Sequence, residues 1–274
     1  MTMALQRLDV LKVHAGVART HGDVAAAEEP LEIRLNGTSF VTIMRTPGAD
    51  RELAAGFLLA ERIIAAADDL GVIRHCTDAQ GDATPNVINV GFVPAVSARI
   101  ERALADRRMV TTNSSCGVCG RRTIDDLMTG IEPMPSRWSV SAAMIASLPE
   151  ALRAAQPLFD ETGGLHAAAL IDRGGRLVAS AEDVGRHNAV DKVVGAQVLM
   201  ERLPLDDLML FVSGRASYEI VQKALVARVP LLASVSAPSS LAVDLARRSG
   251  LTLLGFVRGD TFNIYTGAER IELS

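Results

Sequence analysis

Two cysteines three residues apart, Cys116 and Cys119, stand in the segment TTNSSCGVCG at 111–120. Thiols at that spacing can be near neighbours, and Gly117 and Gly120 free the backbone to present them. Arg121 and Arg122 follow at once, and a helix beginning near Thr123 would add partial positive charge. Both favour the thiolate, which is the nucleophilic form. Four chemistries fit such a pair. A structural zinc site needs four ligands, but Cys76 is the one other thiol and there is no second CxxC. A dithiol–disulfide oxidoreductase wants the motif at the start of a helix after a strand, whereas here it follows a polar loop. An incidental pair of loop cysteines is the plain alternative. A thiolate that carries a transferable group suits the Gly-rich, Arg-flanked setting, with the loop as a swinging arm. That last reading leads, and the other three stay open.

Two further constellations could bind a ligand. Ser213-Gly214-Arg215-Ala216-Ser217, Ser236-Ala237-Pro238-Ser239-Ser240 and Arg258-Gly259-Asp260-Thr261 each follow an apolar run that reads as a strand. Open α/β sheets bind ligands beyond the carboxyl ends of their strands. Hydroxyls, glycines and two arginines there suit phosphate or another anion, although Ser and Gly also simply cap helices and turn chains. The third constellation is 182–192, EDVGRHNAVDK. On a helix His187 and Asp191 lie one turn apart, as do Asn188 and Lys192, which is either a ligand site or a solvated face with ordinary i,i+4 pairs. His166, beside a run of alanines, reads as a core or strand histidine. No GxxxxGK[ST], GxGxxG or GxSxG occurs, so the sequence carries no P-loop, dinucleotide fingerprint or nucleophile elbow.

Alternation and turn residues place these groups. Residues 1–29 show no sustained period and read as a loosely held arm. Leu31, Ile33 and Leu35 alternate with Glu32 and Arg34, and Asn36-Gly37 turns the chain into a second strand at 40–44, a hairpin signature. Asp50 can cap a helix whose stripe is Leu53, Phe57, Ala60 and Ile64. A strand at 85–92 and a helix at 97–107 follow. After Pro133 and Pro135 the pattern alternates: paired strands at 166–171 and 176–180, a helix from Asp183 or Gly185 to about 203, then strand 208–212, helix 217–228, strand 230–235, helix 240–249 and strand 251–257. Strand–helix–strand alternation predicts a parallel three-layer α/β sheet. The expected architecture is α/β: an α+β N-terminal domain over 1–135 and an α/β C-terminal domain over 136–274.

The composition bounds the function. The chain has 274 residues, 49% of them hydrophobic and 22% charged, enough for a substantial core. Net charge is −4 and aromatic residues make up 4%, which argues against nucleic acid or an anionic membrane as partner. The longest apolar stretch, 53–60, falls well short of the roughly 18 residues of a spanning helix. The N-terminus shows neither an apolar h-region nor a cleavage site. Three cysteines are too few for a disulfide framework, so a reducing, cytoplasmic setting is expected.

Taken together, these segments resemble the FdhD/NarQ family of formate dehydrogenase accessory sulfurtransferases. The resemblance rests on NSSCGVCG at 113–120, TGGLHAAAL at 162–170, EDVGRHNAVDKVVG at 182–195, SGRASYEIVQKA at 213–224, PLLASVSAPSSLAVDLA at 230–246 and LLGFVRG at 253–259. RTPGADRELAAGFLLAE at 45–61 adds to it, and the ordered set spans nearly all of 30–270. The resemblance implies a protein that accepts sulfur as a persulfide from a cysteine desulfurase and passes it to the molybdenum cofactor that formate dehydrogenase needs. It implies a cytidine-deaminase-like C-terminal half, and homodimers. The family's CxxC maps onto Cys116, expected to carry the persulfide, and Cys119, expected to assist. Its site for the cofactor, a bis-molybdopterin guanine dinucleotide that a guanine nucleotide would mimic, maps onto Phe256, Val257, Arg258, Gly259, Asp260 and Thr261. Expected neighbours are His187, Asn188, Lys192, Ser213, Gly214 and Arg215. Zinc deaminases need H-x-E and P-C-x-x-C. The corresponding helices here begin Arg186-His187-Asn188 and Ser213-Gly214-Arg215, so neither zinc nor deamination is expected. A thiol–disulfide oxidoreductase and a cofactor-insertion chaperone without sulfur transfer stand as the rival readings.

Overall fold

A computed structural model describes residues 4–78, 80–108, 134 and 139–273. Cys116 and Cys119, and with them the CxxC segment, lie outside the described residues. The chain opens on a hairpin, β1 (Leu5–His14) paired antiparallel with β2 (Val17–Ala26). This corrects the expectation of a loose arm over 1–29. Ala15 and Gly16 both take positive φ, as a two-residue hairpin turn of matching twist requires. Leu8, Leu11, Val13 and Val17 stay exposed on it. With neither face buried there is no alternation to read.

β3 (Glu29–Leu35) and β4 (Thr38–Arg45) form the expected hairpin around Asn36 and Gly37, with Leu31, Ile33 and Leu35 fully buried. Helix α1 (Asp50–Ala60) follows, but Asp50 does not cap it. Ala49 holds the N-cap position in a left-handed conformation, and the Asp50 carboxylate is engaged by Arg45, Nε to Oδ1 at 3.0 Å and Nη2 to Oδ2 at 3.1 Å. β5 (Leu70–Thr77), β6 (Ala83–Phe92) and helix α2 (Ser97–Arg108) complete the first half. Its sheet has the order β4-β3-β6-β5, with β3 and β6 parallel.

The second half adds β7 (Val140–Ser141), α3 (Ala142–Arg153), α4 (Pro157–Thr162), β8 (His166–Asp172), β9 (Leu177–Asp183) and α5 (Arg186–Leu199). It continues through β10 (Leu208–Val212), α6 (Tyr218–Val226), β11 (Leu231–Ser234), α7 (Ser240–Ser249), β12 (Thr252–Arg258), β13 (Thr261–Thr266) and β14 (Ile271–Glu272). The six-stranded sheet runs β13-β12-β11-β10-β8-β9. It is mixed, not parallel throughout: β10, β11 and β12 are parallel, while β8, β9 and β13 are antiparallel to their neighbours. The reason is connection length. A two-residue turn at Gly259-Asp260 can only return β13 antiparallel to β12, whereas parallel neighbours need crossovers such as α6 and α7.

Both faces of this sheet are covered. Ala168, Leu170, Leu210, Val212, Leu232 and Leu253 face the side packed by α5, α6 and α7. Ala167, Ala169, Ile171, Met209, Phe211, Leu231 and Leu254 face α3 through Ile145, Leu148 and Leu152. Period-2 alternation between two apolar layers makes the strands read as continuous apolar runs. The first layer's core also takes in Leu31, Ile33, Leu53, Leu58 and Ile88, so one hydrophobic core runs from the first sheet through α1 into α5. Two glycines allow that approach: a Cβ on Gly195 would lie 1.8 Å from the Glu52 carbonyl oxygen, and one on Gly56 would lie 2.0 Å from that of Asp191.

Candidate functional site

The parallel register of β10, β11 and β12 brings their carboxyl-end loops side by side. Val235 N–H donates to the Val212 carbonyl at 3.0 Å, Ser239 N–H to that of Ala216 at 3.0 Å, and Phe256 N–H to that of Ser236 at 3.1 Å. The Ser234 hydroxyl ties two of these loops, donating to the Gly214 carbonyl at 2.8 Å. The loops at 213–217, 235–239 and 255–260 therefore form one edge. Because β8 runs antiparallel to β10, and β9 antiparallel to β8, His166 at the start of β8 and Asp183 at the end of β9 stand opposite each other at that same edge. Helix α5 begins there too.

The third loop has an unusual backbone. Phe256 takes φ 53°, a left-handed conformation rare outside glycine, at a break in the β12–β13 register. Its ring is part-exposed, and the Arg258 guanidinium lies 5.8 Å from the ring centre. The preceding residue is closely packed. A Cβ on Gly255 would stand 2.9 Å from Pro238 and from Tyr265. Strain of this kind costs about 1–3 kcal/mol and clusters where a site must be held in shape. Val257 is buried, Arg258 donates from Nε to the Val235 carbonyl at 3.3 Å, and the Thr261 hydroxyl donates to the Arg258 carbonyl at 3.1 Å. Gly259 and Asp260 make the exposed turn.

The remaining expected residues divide. Ser213 spends its hydroxyl as acceptor for Ala167 N–H at 2.9 Å, Gly214 is buried, and Arg215 is exposed. His187 joins this group: its Nε2 lies 3.2 Å from the Ser217 hydroxyl and 3.7 Å from Glu219 Oε2. Both partners meet the same ring nitrogen, so these three residues do not form a nucleophile–base–orienter triad. Burial, with the charges of Arg186 and Lys223 nearby, pushes the His187 imidazole down to about 4, and burial likewise lowers His166. Asp191 turns away to pair with Lys223 at 2.6 Å; burial raises its carboxyl to about 6 against the pull of that ammonium.

Asn188 and Lys192 face inward. Both serve Asp183, which is fully buried and accepts from Asn188 Nδ2 at 2.8 Å, Lys192 Nζ at 2.7 Å, Gly185 N–H at 2.8 Å and Thr46 N–H at 3.2 Å. Lys192 also donates to the Thr46 carbonyl at 2.9 Å and Asn188 to that of Met44 at 2.8 Å. Their polar atoms are thus occupied in joining the strap at 44–46 to the start of α5, one step behind the edge. Sequence reasoning did not single out Asp183 or Thr46 as partners, because they are 137 residues apart. It named Arg186 and Ser217 only as members of their segments, without a role, and left aside Glu219. For these the available signal was their position at the first turns of two helices that both begin at the loop edge.

Fold and edge together define a three-layer α/β protein whose polar loops converge at the carboxyl ends of three parallel strands. The chain belongs to the FdhD/NarQ family, whose model matches residues 26–272. It is 52% identical over 259 residues to a protein of Anaeromyxobacter dehalogenans named sulfur carrier protein FdhD, covering 92% of this chain and 90% of that one. A Streptomyces avermitilis protein of the same name is 48% identical over 283 residues, covering 100% and 98%. A crystal structure from Desulfotalea psychrophila, described as a formate dehydrogenase accessory protein, superposes with a TM-score of 0.76 at 26% identity, covering 98% of this chain and 100% of that one. Among the described residues no helix is long and apolar enough to cross a membrane.

Proposed function

We propose that this protein is a sulfur carrier in formate dehydrogenase maturation. It takes sulfur from a cysteine desulfurase onto Cys116, with Cys119 assisting, and passes it to a bis-molybdopterin guanine dinucleotide held at the loop edge. The observation that carries the reading is the near full-length similarity, at about half identity, to proteins named as sulfur carriers. In the first transfer the Cys116 thiolate attacks the outer sulfur of the desulfurase persulfide. That S–S bond breaks, a new one forms on Cys116, and the desulfurase cysteine leaves as thiolate, with no net oxidation. The cargo is a nucleotide-bearing anion. Exposed Arg258, Arg215 and the part-exposed Phe256 ring offer charge and a stacking face for it, with Gly259, Asp260 and Thr261 at the rim. In this reading the second half is cytidine-deaminase-like, works without zinc, and functions in the cytoplasm within a homodimer.

The test is direct. Incubation with a cysteine desulfurase and cysteine, followed by peptide mass mapping, should show a one-sulfur increment on the peptide carrying Cys116 that reductant removes. Absence of a reductant-labile sulfur on either cysteine would sink the reading. A thiol–disulfide oxidoreductase would instead need both cysteines, and an insertion chaperone would keep its maturation activity with both replaced.

A further inference from the structure

Arg186 opens α5 beside Gly214, and its side chain and the His166 ring both pack against that glycine: a Cβ there would be 3.4 Å from Arg186 Cβ and Cδ, and 3.4 Å from His166 Nδ1. A guanidinium side chain and an imidazole therefore share one recess over Gly214. Among the described residues Arg186 Nε is buried with no hydrogen-bond partner, so a strong donor has been taken out of water with no acceptor among them. Such a donor destabilises the fold unless something accepts from it. The neighbouring charges do not answer it. Lys223 is matched by Asp191, and Glu219 is directed at His187, whose Nε2 also contacts the Ser217 hydroxyl. Among the described residues this leaves the Arg186 guanidinium beside two imidazoles and a hydroxyl, at the loop edge.

We propose that Arg186, His166, His187 and Ser217 form a recess for one tetrahedral oxyanion of the phosphate class, with Arg186 as its principal ligand. A guanidinium makes charge-assisted, often bidentate hydrogen bonds to phosphate oxygens. The hydroxyl and imidazole N–H groups supply further donors. The recess rests on the proposed function only for its location beside the cargo edge: a phosphate of the cargo would reach it, and so would free phosphate or pyrophosphate.

The full-length protein is titrated with inorganic pyrophosphate by calorimetry, at fixed pH and ionic strength. Saturable binding is expected in the unmodified chain, weakened at least tenfold in Arg186→Gln and recovered in part in Arg186→Lys. Arg176→Gln, which removes an exposed arginine on the β8–β9 turn, should bind as the unmodified chain does. Competition by guanosine diphosphate assigns the recess to a nucleotide phosphate, and its failure to compete assigns it to a free anion. Should Arg186→Gln not fold, imidazole resonances in the unmodified chain decide: pyrophosphate should shift His166 and His187 and leave His14 and His21 of the first hairpin in place. Absence of saturable binding, equal affinity in Arg186→Gln, or shifts confined to the hairpin histidines would overturn the proposal. Because no readout involves sulfur, the double variant Cys116→Ser/Cys119→Ser should bind pyrophosphate unchanged. The recess and the carrier role can therefore fail separately.

Discussion

His187 carries a protonation signature that can be read in stability. Its imidazole is held down at about 4 in the folded chain, against 6.5 as the ordinary value, because burial and the Arg186 charge both disfavour the cation. Between those values the unfolded chain binds a proton that the folded chain refuses. Stability is therefore full above 6.5 and is lost as pH falls through 6.5 towards 4. From pH 7 to pH 5 the residue should remove about 2 kcal/mol. His166, also lowered, adds in the same direction. Asp191 opposes both, since a carboxyl raised to about 6 favours the folded chain at low pH and loses that advantage as pH rises. Comparison with His187→Gln isolates the imidazole. Urea unfolding at pH 7 and pH 5 should show the unmodified chain losing about 2 kcal/mol more than the variant. Equal losses would mean that the ring is already free to protonate in the folded state.

Among elements, the decisive junction is the crossing of α1 and α5. Replacing a mid-helix glycine by alanine ordinarily stabilises by about 0.5–1 kcal/mol. At Gly195 the sign reverses, because the new methyl would land 1.8 Å from the Glu52 carbonyl oxygen and 2.6 Å from Gly56 N, backbone atoms that yield only if the helices separate. Gly195→Ala should cost about 1–3 kcal/mol or more and lower the melting temperature by several degrees. A calorimetric midpoint equal to or above that of the unmodified chain would show that the helices part at no cost. The same crossing explains what the sequence could reveal. The apolar stripe on α1 was legible as a buried face, and 208–212 and 240–249 coincide with β10 and α7 residue for residue. α3 was not legible, since Pro149 interrupts its helical pattern. β5 was obscured by Gly71, Arg74 and His75, and β13 by its position directly after the Arg258-Gly259-Asp260-Thr261 segment, read only as a loop. Loop convergence at one edge followed from the strand–helix alternation. The inward use of Asn188 and Lys192 did not, because it depends on Thr46, which becomes a neighbour only when the two sheets dock.

At the scale of the whole molecule, that docking turns on a buried charge. Asp183 and Lys192 are both almost fully excluded from solvent, and each also bonds to the strap at 44–46, so one ion pair serves as the rivet between the first half of the chain and the second. Breaking a buried pair from one side is far more damaging than its net worth, because the remaining charge is stranded. Lys192→Met leaves the Asp183 carboxylate without its cation and should cost about 3–5 kcal/mol. Asp183→Asn with Lys192→Met removes both charges and should cost less than the sum of the single changes. The shared core makes a stronger claim about where the loss is felt. Ile33 of β3 and Leu210 of β10 belong to one apolar cluster, so opening either half exposes the other. Native-state hydrogen exchange should therefore show the slowest amides of β3 and of β10 losing protection by the same amount in Lys192→Met. If the β10 amides fell while those of β3 kept their protection, the first half would hold its own stability and the two would be joined only mechanically.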